Sequence, residues 1–236
     1  MATFVLVHGA WNGGWCWRKI APLLRQAGHE VFTPTLTGLG ERAHLASPDI
    51  GLGTHIQDLV GVLEWEGLHG TILVGHSFGG VAITGVAERA AARLAHLVYL
   101  DATVPRDGES RRAMMGETAW AGLERSAREG GDGWRLPPPA ITLPDPDDAR
   151  WVASKLVPQP LRTYAEPLRL RDPAALALPR TYTHGRTGNL ATSFAPFAAR
   201  ARWAGWRCRE LSAEHLCYAT APRETADLLL EIAALP

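Results

Sequence analysis

The sequence predicts a single α/β domain in which a mostly parallel six-stranded sheet is covered by helices on both faces. Short apolar runs alternate with longer helical stretches along most of the 236 residues. This alternation is typical of a parallel sheet with helical crossovers, and a chain of this length suits one such domain with an insertion. The predicted strands are 3–7, 30–33, 71–75, 96–101, 180–184 and 207–211, and the predicted helices are 15–27, 54–66, 78–92, 195–204 and 222–233.

The regular alternation breaks between Pro105 and Pro179. This stretch is rich in proline, including Pro137–Pro139, and it carries charged helical pieces such as 111–128. A disordered linker is the alternative, but three tryptophans and a tyrosine in this stretch argue for a packed lid, because aromatic side chains contribute most when buried. We therefore expect one domain spanning residues 1–236, with a helical cap inserted at approximately 105–179.

The most informative motif is Gly75-His76-Ser77-Phe78-Gly79, which directly follows the apolar run 71–74. A G-x-S-x-G pentad between a strand and a helix is typical of a nucleophile elbow, a sharp turn that lifts the serine hydroxyl above the sheet edge. The two glycines let the strand and helix backbones approach without a Cβ clash. A chance match in a chain with 24 glycines is disfavoured by this context. We predict Ser77 as a catalytic nucleophile.

A serine nucleophile needs a base, a group that orients the base, and donors for the oxyanion. Where a nucleophile elbow supplies the serine, its partners follow in the chain order serine, acid, histidine. His215 lies on a loop between the strand-like segment 207–211 and the last predicted helix. Loops at the carboxyl ends of parallel strands are where catalytic groups gather. We predict His215 as the base, with an ordinary surface-loop histidine as the alternative.

The acid is missing from its usual place, which is the loop after the strand that precedes the histidine strand. No Asp or Glu occurs between Asp172 and Glu210. One strand earlier, Asp101 ends an apolar run, and we predict that it orients His215. The alternatives that stay open are a capping role for Asp101, Asp107 as the acid, and a contact to the base from His184, Asn189 or a main-chain carbonyl.

A second loop of interest, His8-Gly9-Ala10-Trp11, follows the first predicted strand. We expect the main-chain amides of Ala10 and Phe78 to form the oxyanion hole, because donors fixed before the reaction stabilise the charge that develops during it. The pocket is expected to be apolar. Its predicted substrate-binding residues are Gly9, Trp11, His76, Trp120 and Trp134.

The span from Thr3 to Ala92 resembles the plant methylesterase and hydroxynitrile lyase branch of the α/β-hydrolases, especially its small bacterial esterase-like members. The resemblance implies the α/β-hydrolase fold, and the end-of-strand position of Asp101 is similar to that of the acid in some haloalkane dehalogenases. The residues that carry the resemblance are 8–11 with 13–15, 23–24 with 27–29, 75–80, and in the tail 214–215 with 221–222.

The lyases of this branch carry a Thr where this chain has Gly9 and a Lys where it has Leu216. Those groups handle the cyanohydrin hydroxyl and the leaving cyanide, so their absence favours hydrolysis. The resemblance and the motifs together imply a carboxylesterase-like serine hydrolase that cleaves an ester or thioester with an apolar or aromatic part through an acyl-enzyme on Ser77. The alternatives are a non-hydrolytic lyase, decarboxylase or cyclase on the same fold, and a metabolite-binding protein with a residual triad.

Composition limits the expected partners. The 24 Lys and Arg balance the 24 Asp and Glu, so no nucleic-acid partner is expected. No apolar run is long enough to span a membrane, and the first residues predict a strand instead of a signal peptide. Cys16, Cys208 and Cys217 lack metal-ligand spacing and indicate free thiols. We expect a cytoplasmic enzyme without cofactor or metal that acts on a small ester-like molecule, with homodimer formation left open.

Overall fold

The computed structural model describes residues 1–235, and eight strands lie within them. Six form one sheet with the order β2-β1-β3-β4-β7-β8, and all five neighbouring pairs in it are parallel. The other two form a small antiparallel sheet. The strands are β1 Thr3–Val7, β2 Glu30–Phe32, β3 Thr71–His76, β4 Leu94–Leu100, β5 Arg135–Leu136, β6 Gln159–Pro160, β7 Arg180–Gly185 and β8 Arg207–Leu211.

Helices connect these strands throughout the described chain. The α-helices are α1 Ala21–Gln26, α2 Leu52–Trp65, α3 Gly79–Ala90, α4 Arg111–Met115, α5 Glu117–Gly130, α6 Pro146–Ala153, α7 Arg162–Ala165, α8 Pro173–Ala177, α9 Ala191–Trp203, α10 Cys217–Thr220 and α11 Pro222–Ala233. Short 3-10 helices cover Gly14–Lys19, Gly40–Leu45 and Ala91–Arg93. Among residues 1–235 no helix combines the length and the apolarity that crossing a membrane requires.

The predicted fold class is confirmed, most element boundaries differ from the prediction by one to four residues, and two of the differences have a clear physical reason. The expected helix 15–27 is divided into a 3-10 helix and α1. Pro22 explains the division, because proline has no N–H for a helix interior and is tolerated only in the first turn. The expected strand 96–101 ends at Leu100. Asp101 has a φ of 43° and therefore leaves the extended conformation.

The sheet is buried on both faces because its side chains alternate between two apolar clusters. In β1, Phe4 and Leu6 join a cluster built with α1 and α11, whereas Val5 and Val7 join a cluster built with α2, α3 and α9. All four of these side chains are fully buried. Each contributes roughly 1.5–3 kcal/mol by leaving water, so the central strands are a rigid support for the loops at their carboxyl ends.

Strand order brings the loops that carry the predicted catalytic residues to one edge of the sheet. The chain leaves β1 toward β2 on one side and then returns to place β3 on the other side of β1. Ligands bind in open α/β sheets at such a switch point, outside the carboxyl ends of the strands. The loops after β3, β4, β7 and β8 then follow one another along the same edge.

Residues 105–179 contain helices α4 to α8 and the small β5–β6 sheet. Trp11, in the loop after β1, ties this segment to the sheet through three hydrogen bonds. Its amide donates to Gln159 Oε1 at 3.2 Å, its indole donates to the Leu136 carbonyl at 3.0 Å, and its carbonyl accepts from the Val157 amide at 3.0 Å. Tyr164 of α7 stacks on Phe78, with ring centroids 5.3 Å apart. This segment therefore lies over the elbow.

The elbow depends on Gly75, and we predict that Gly75→Ala destabilises the fold. A Cβ at this position would lie 2.7 Å from the main-chain carbon and oxygen of Gly79, and backbone atoms cannot move aside cheaply. We expect a loss of about 1–3 kcal/mol in the free energy of unfolding, measured by urea titration. Gly61→Ala is the matched control, because its Cβ would meet only Trp65 Cδ1 at 3.9 Å. It should stabilise α2 by about 0.5–1 kcal/mol; equal effects of the two changes would contradict the close approach at the elbow.

Candidate active site

Backbone strain is concentrated in the loops at the switch point. Four non-glycine residues in the described chain have a positive φ, and three of them follow β1, β3 and β4: Trp11 at 64°, Ser77 at 54° and Asp101 at 43°. Such conformations cost of order 1–3 kcal/mol each and persist only where the surroundings impose them. Ser77 is held by hydrogen bonds from the amides of Gly80 and Thr103 to its carbonyl, at 3.2 and 3.0 Å.

Three predicted residues form a continuous hydrogen-bonded relay. Ser77 Oγ lies 2.9 Å from His215 Nε2, and His215 Nδ1 lies 2.7 Å from Asp101 Oδ2. The carboxylate can only accept, so Nδ1 carries the imidazole proton and Nε2 is free to accept from the serine hydroxyl. Asp101 and His215 are 2% and 8% exposed, so water competes little for the bond between them.

Asp101 also holds the carboxyl end of β7, the strand whose following loop carries no acid. Its second carboxylate oxygen, Oδ1, lies 3.0 Å from His184 Nδ1 and accepts from the Gly185 amide at 3.1 Å. The Asp101 amide donates to the Thr183 carbonyl at 2.7 Å. His184 thus contacts the carboxylate and leaves His215 to Asp101, so the rival arrangement in which His184 bonds to His215 is not formed.

The position of His215 is fixed from two further directions. Its ring stacks on Phe194 of α9, with centroids 4.3 Å apart and an interplanar angle of 18°. Its carbonyl accepts a hydrogen bond from His76 Nε2 at 2.8 Å. His76 directly precedes Ser77, so the loop after β8 is attached directly to the elbow. This contact couples the two loops whose separation sets the Ser77–His215 distance.

The amides of Ala10 and Phe78 lie beside the serine and donate no hydrogen bond to another residue among the 235 described. Both residues line the cavity that contains Ser77. Gly9 allows this approach, since a Cβ at position 9 would lie 3.0 Å from both Ser77 Cβ and His76 Nδ1. The two amides are therefore available to a ligand oxygen at this position.

Three buried histidines surround the two loops and are held neutral. Burial lowers the pKa of His8 to about 4, that of His55 to about 4 and that of His76 to about 3. His8 is fully satisfied as a neutral ring: Nδ1 donates to the Gly9 carbonyl at 2.8 Å and Nε2 accepts from the Leu36 amide at 3.1 Å. These rings therefore support the loops without adding positive charge beside the site.

Ser77 opens into a cavity of about 430 Å³ between the sheet edge and the segment 105–179. Gly9, Trp11 and His76 line it, as the sequence predicts, but Trp120 and Trp134 do not. Trp120, a residue of α5, is instead buried in an apolar cluster, with the Arg112 guanidinium over its ring. The Arg135 guanidinium lies over the Trp134 ring. The sequence pattern of the segment 105–179 does not indicate which of its aromatic side chains point into the cavity.

Sequence reasoning missed most of the cavity wall. The residues it did not single out for this role are Asn12, Arg111, Met115, Leu123, 139–143, Leu156, Tyr164, Leu190, Ser193, Phe194, Leu216 and Tyr218. One signal was available, because 139–143 begins at the last residue of the run Pro137–Pro139, and loops commonly carry binding residues. The other residues come from helices and loops that carry no motif.

A family model described as the alpha/beta hydrolase family matches residues 4–228. The chain belongs to this family. A carbendazim-hydrolysing esterase from Nocardioides sp. (strain SG-4G) is 46% identical over 191 residues, which cover 77% of this chain and 79% of that protein. This likeness makes the chain an esterase-type α/β-hydrolase.

Further relatives confirm the methylesterase-like branch. Methylesterase 1 of Arabidopsis thaliana is 32% identical over 130 residues, covering 51% of this chain and 49% of that protein. An extracellular α/β-hydrolase from a Paenibacillus species superposes with a TM-score of 0.85 at 23% identity, over 98% of each chain. At that level of identity the superposition shows that the fold is shared.

The buried histidines predict a loss of stability in weak acid. Below pH 6.5 the unfolded chain takes up protons on His8, His55 and His76, whereas the folded chain takes them up only near pH 3–4. The unfolded state then binds more protons, so stability falls as the pH drops from 6.5 toward 4, by up to about 1.4 kcal/mol per pH unit for each ring.

Urea unfolding at pH 7.5, 6.0 and 5.0 measures this slope. His55→Gln should flatten the slope, because it removes one of the three buried rings. His44→Gln is the control, since His44 is an exposed residue of the 3-10 helix Gly40–Leu45, and it should leave the slope unchanged. A wild-type stability that is constant between pH 7.5 and 5.0 would show that these rings are not held neutral by the fold.

Proposed function

We propose that the chain hydrolyses carboxylic esters through an acyl-enzyme on Ser77, with His215 as the base and Asp101 as the acid that orients it. The observation that supports this most is the relay of 2.9 and 2.7 Å hydrogen bonds from Ser77 through His215 to Asp101. It ends beneath a cavity large enough for a small ester. Nucleophile, base and orienting acid within hydrogen-bond reach are the geometric requirements of acyl transfer.

In the acylation step, Ser77 Oγ attacks the ester carbonyl carbon while its proton moves to His215 Nε2. The carbonyl oxygen becomes an oxyanion, which accepts hydrogen bonds from the amides of Ala10 and Phe78. Asp101 stabilises the imidazolium that has formed, because its carboxylate accepts from Nδ1. The tetrahedral intermediate then collapses, the bond to the alkoxy oxygen breaks, and the alcohol leaves with the proton from Nε2.

Deacylation repeats these steps with water in place of the serine hydroxyl. His215 Nε2 takes a proton from water, whose oxygen attacks the acyl carbon. The second oxyanion is held by the same two amides and collapses with cleavage of the bond to Ser77 Oγ, which regains its proton from Nε2. The products are a carboxylic acid, an alcohol and the free enzyme.

The cavity wall favours an apolar or aromatic substrate. Most lining side chains are apolar or aromatic, and Phe78 and Tyr164 form a stacked pair beside the nucleophile. Methyl esters of small aromatic acids are therefore suitable first substrates. Carbendazim, for which the Nocardioides relative is named, is a further test substrate because it combines a flat aromatic system with a hydrolysable methyl carbamate.

Cyanohydrin lyase chemistry fits the site less well. The lyases of the branch carry a Thr at the position of Gly9, and here a Cβ at this position would lie 3.0 Å from Ser77 Cβ. That distance is tighter than ordinary van der Waals contact, so a threonine would displace the elbow or the oxyanion loop. Gly9 instead leaves room for an acyl group above the serine.

We predict that Ser77→Ala and His215→Ala each lower kcat by several orders of magnitude, and that the double variant is little worse than either. The relay acts as a unit, so losses of its members do not add. Turnover of a p-nitrophenyl ester gives the rates, and circular dichroism checks the fold. Ser193→Ala is the matched control, because Ser193 lines the same cavity outside the relay; it should still be labelled by a fluorophosphonate probe, unlike Ser77→Ala. Additive losses in the double variant would argue against a shared role.

We predict that Asp101→Asn lowers kcat by about ten-thousandfold, because an amide no longer fixes the imidazole tautomer or stabilises the imidazolium. His184→Gln should cost far less, since its amide N–H can still donate to Asp101 Oδ1. His96→Gln is the control for losing a histidine between β4 and β7, because His96 bonds to Thr181 Oγ1 at 2.9 Å and does not contact Asp101. Full activity in Asp101→Asn would assign the orienting role elsewhere.

A further inference from the structure

Arg111 lines the cavity that contains Ser77, and its guanidinium is paired with no carboxylate among the described residues. It is the first residue of α4, whose start is fixed by Ser110 Oγ accepting from the Ala113 amide at 3.1 Å. Among residues 1–235, no ion pair, side-chain hydrogen bond or aromatic ring engages its guanidinium. The neighbouring Arg112 differs in every respect: it bonds to Glu117 Oε2 at 3.4 Å and lies over the Trp120 ring.

Arg111 is partly buried, and its surroundings do not compensate its charge. Burial lowers the pKa of Arg111 below its ordinary value, and the interaction with Tyr164 opposes that lowering. Burying a charge is costly unless it is paired and hydrogen-bonded. Glu214 is the carboxylate that lines the same cavity, and no ion pair joins it to Arg111. The acceptors for this guanidinium are therefore absent from the described protein.

Tyr164 places a second unused donor beside Arg111. Its ring is fixed by stacking on Phe78 and by contact with Trp11, with centroids 5.3 and 6.5 Å apart. Its hydroxyl makes no hydrogen bond to another residue in the described range. Burial raises the pKa of Tyr164 to about 12, and the positive charge of Arg111 opposes that rise. The phenol therefore stays protonated and can donate.

The residues of the segment 105–179 that line the cavity include no carboxylate that could pair with Arg111. Its other side chains on the segment 105–179 are mainly apolar, namely Met115, Leu123, Pro139, Ile141, Leu143 and Leu156. A charged group with unmet hydrogen-bonding capacity in an apolar cavity is typical of a ligand-binding site in which a few polar groups set the orientation. Guanidinium groups bind carboxylates in a bidentate manner, and such charge-assisted bonds are the strong ones.

We propose that Arg111, assisted by Tyr164, binds a carboxylate of the substrate, so that the enzyme acts on half-esters: molecules with an ester at one end, an apolar body and a free carboxylate at the other. This proposal rests on the proposed esterase function of the same cavity. Ser77 and the amides of Ala10 and Phe78 hold the ester end. Arg111 holds the anionic end and selects for it.

The test uses monomethyl esters of α,ω-dicarboxylic acids with five to eight carbons. Each is paired with the methyl ester of the monocarboxylic acid of equal chain length, and methanol release gives kcat/KM. The length series locates the span between Ser77 and Arg111. For the best half-ester, the ratio of its kcat/KM to that of its neutral partner should exceed one in the wild type. Arg111→Met should lower that ratio at least about tenfold, since a charge-assisted hydrogen bond is typically worth that much.

Further variants separate the charge from the packing. Arg111→Lys keeps the charge and loses the bidentate geometry, so its ratio should lie between those of the wild type and Arg111→Met, and it serves if Arg111→Met fails to fold. Tyr164→Phe should lower the ratio by a smaller factor, because it removes one neutral donor. Arg112→Gln, one residue along the same helix, should leave the ratio unchanged.

The outcomes distinguish this proposal from the proposed function. If the wild type hydrolyses the neutral esters through Ser77 but no half-ester shows a preference that depends on Arg111, the carboxylate site is wrong and the esterase mechanism stands. The carboxylate site would also be overturned if Glu214→Gln raises the ratio of kcat/KM values while the Arg111 variants leave that ratio unchanged.

If no ester is hydrolysed, the proposed function fails. The binding of the half-esters to Ser77→Ala then decides the carboxylate site by calorimetry: loss of binding in Ser77→Ala/Arg111→Met supports it, and equal or absent binding overturns it.

Discussion

The Asp101 carboxylate is the contact on which the arrangement of the site depends. One oxygen accepts from His215 and the other from His184 and the Gly185 amide. His215 lies on the loop after β8, His184 and Gly185 are the last two residues of β7, and Asp101 itself follows β4. A single buried charge therefore joins three neighbouring segments at the sheet edge. Its two oxygens accept three hydrogen bonds. A buried carboxylate is tolerable in a low-dielectric setting when it is hydrogen-bonded in this way.

The free-energy cost of the strained loops at this sheet edge is offset by contacts in the surrounding structure. Trp11, Ser77 and Asp101 have strained backbones, and their loops are held by hydrogen bonds and by three histidines that burial keeps neutral. The rigid parallel sheet beneath supplies the stability that such strain requires. The cavity wall opposite the sheet edge is built differently, because helices and proline-rich loops of the segment 105–179 form it. The hydrogen-bonded relay and the opposite wall of the cavity thus come from separate parts of the fold.

Local signals made much of the fold and the centre of the site predictable. The strands follow from short apolar runs, and Ser77 follows from glycine spacing between a strand and a helix, a requirement of close backbone approach that Gly75 meets directly. Asp101 and His215 could be named because parallel strands align their carboxyl ends, so that elimination along the chain leaves few candidates. The division of the helix expected at 15–27 was foreseeable from Pro22, a local steric rule that helical periodicity obscured.

The sequence by itself determined the class of the fold, the edge of the sheet that carries the chemistry, and the esterase-like motif, since each depends on contacts between residues close in the chain or on strand order. Only the tertiary structure decided that Asp101 is shared between two histidines, that Trp120 and Trp134 lie outside the cavity, and that Arg111 lies inside it without an acid. Those features depend on the directions in which side chains of separate helices point after packing. Such directions are set by long-range burial, which no local pattern encodes.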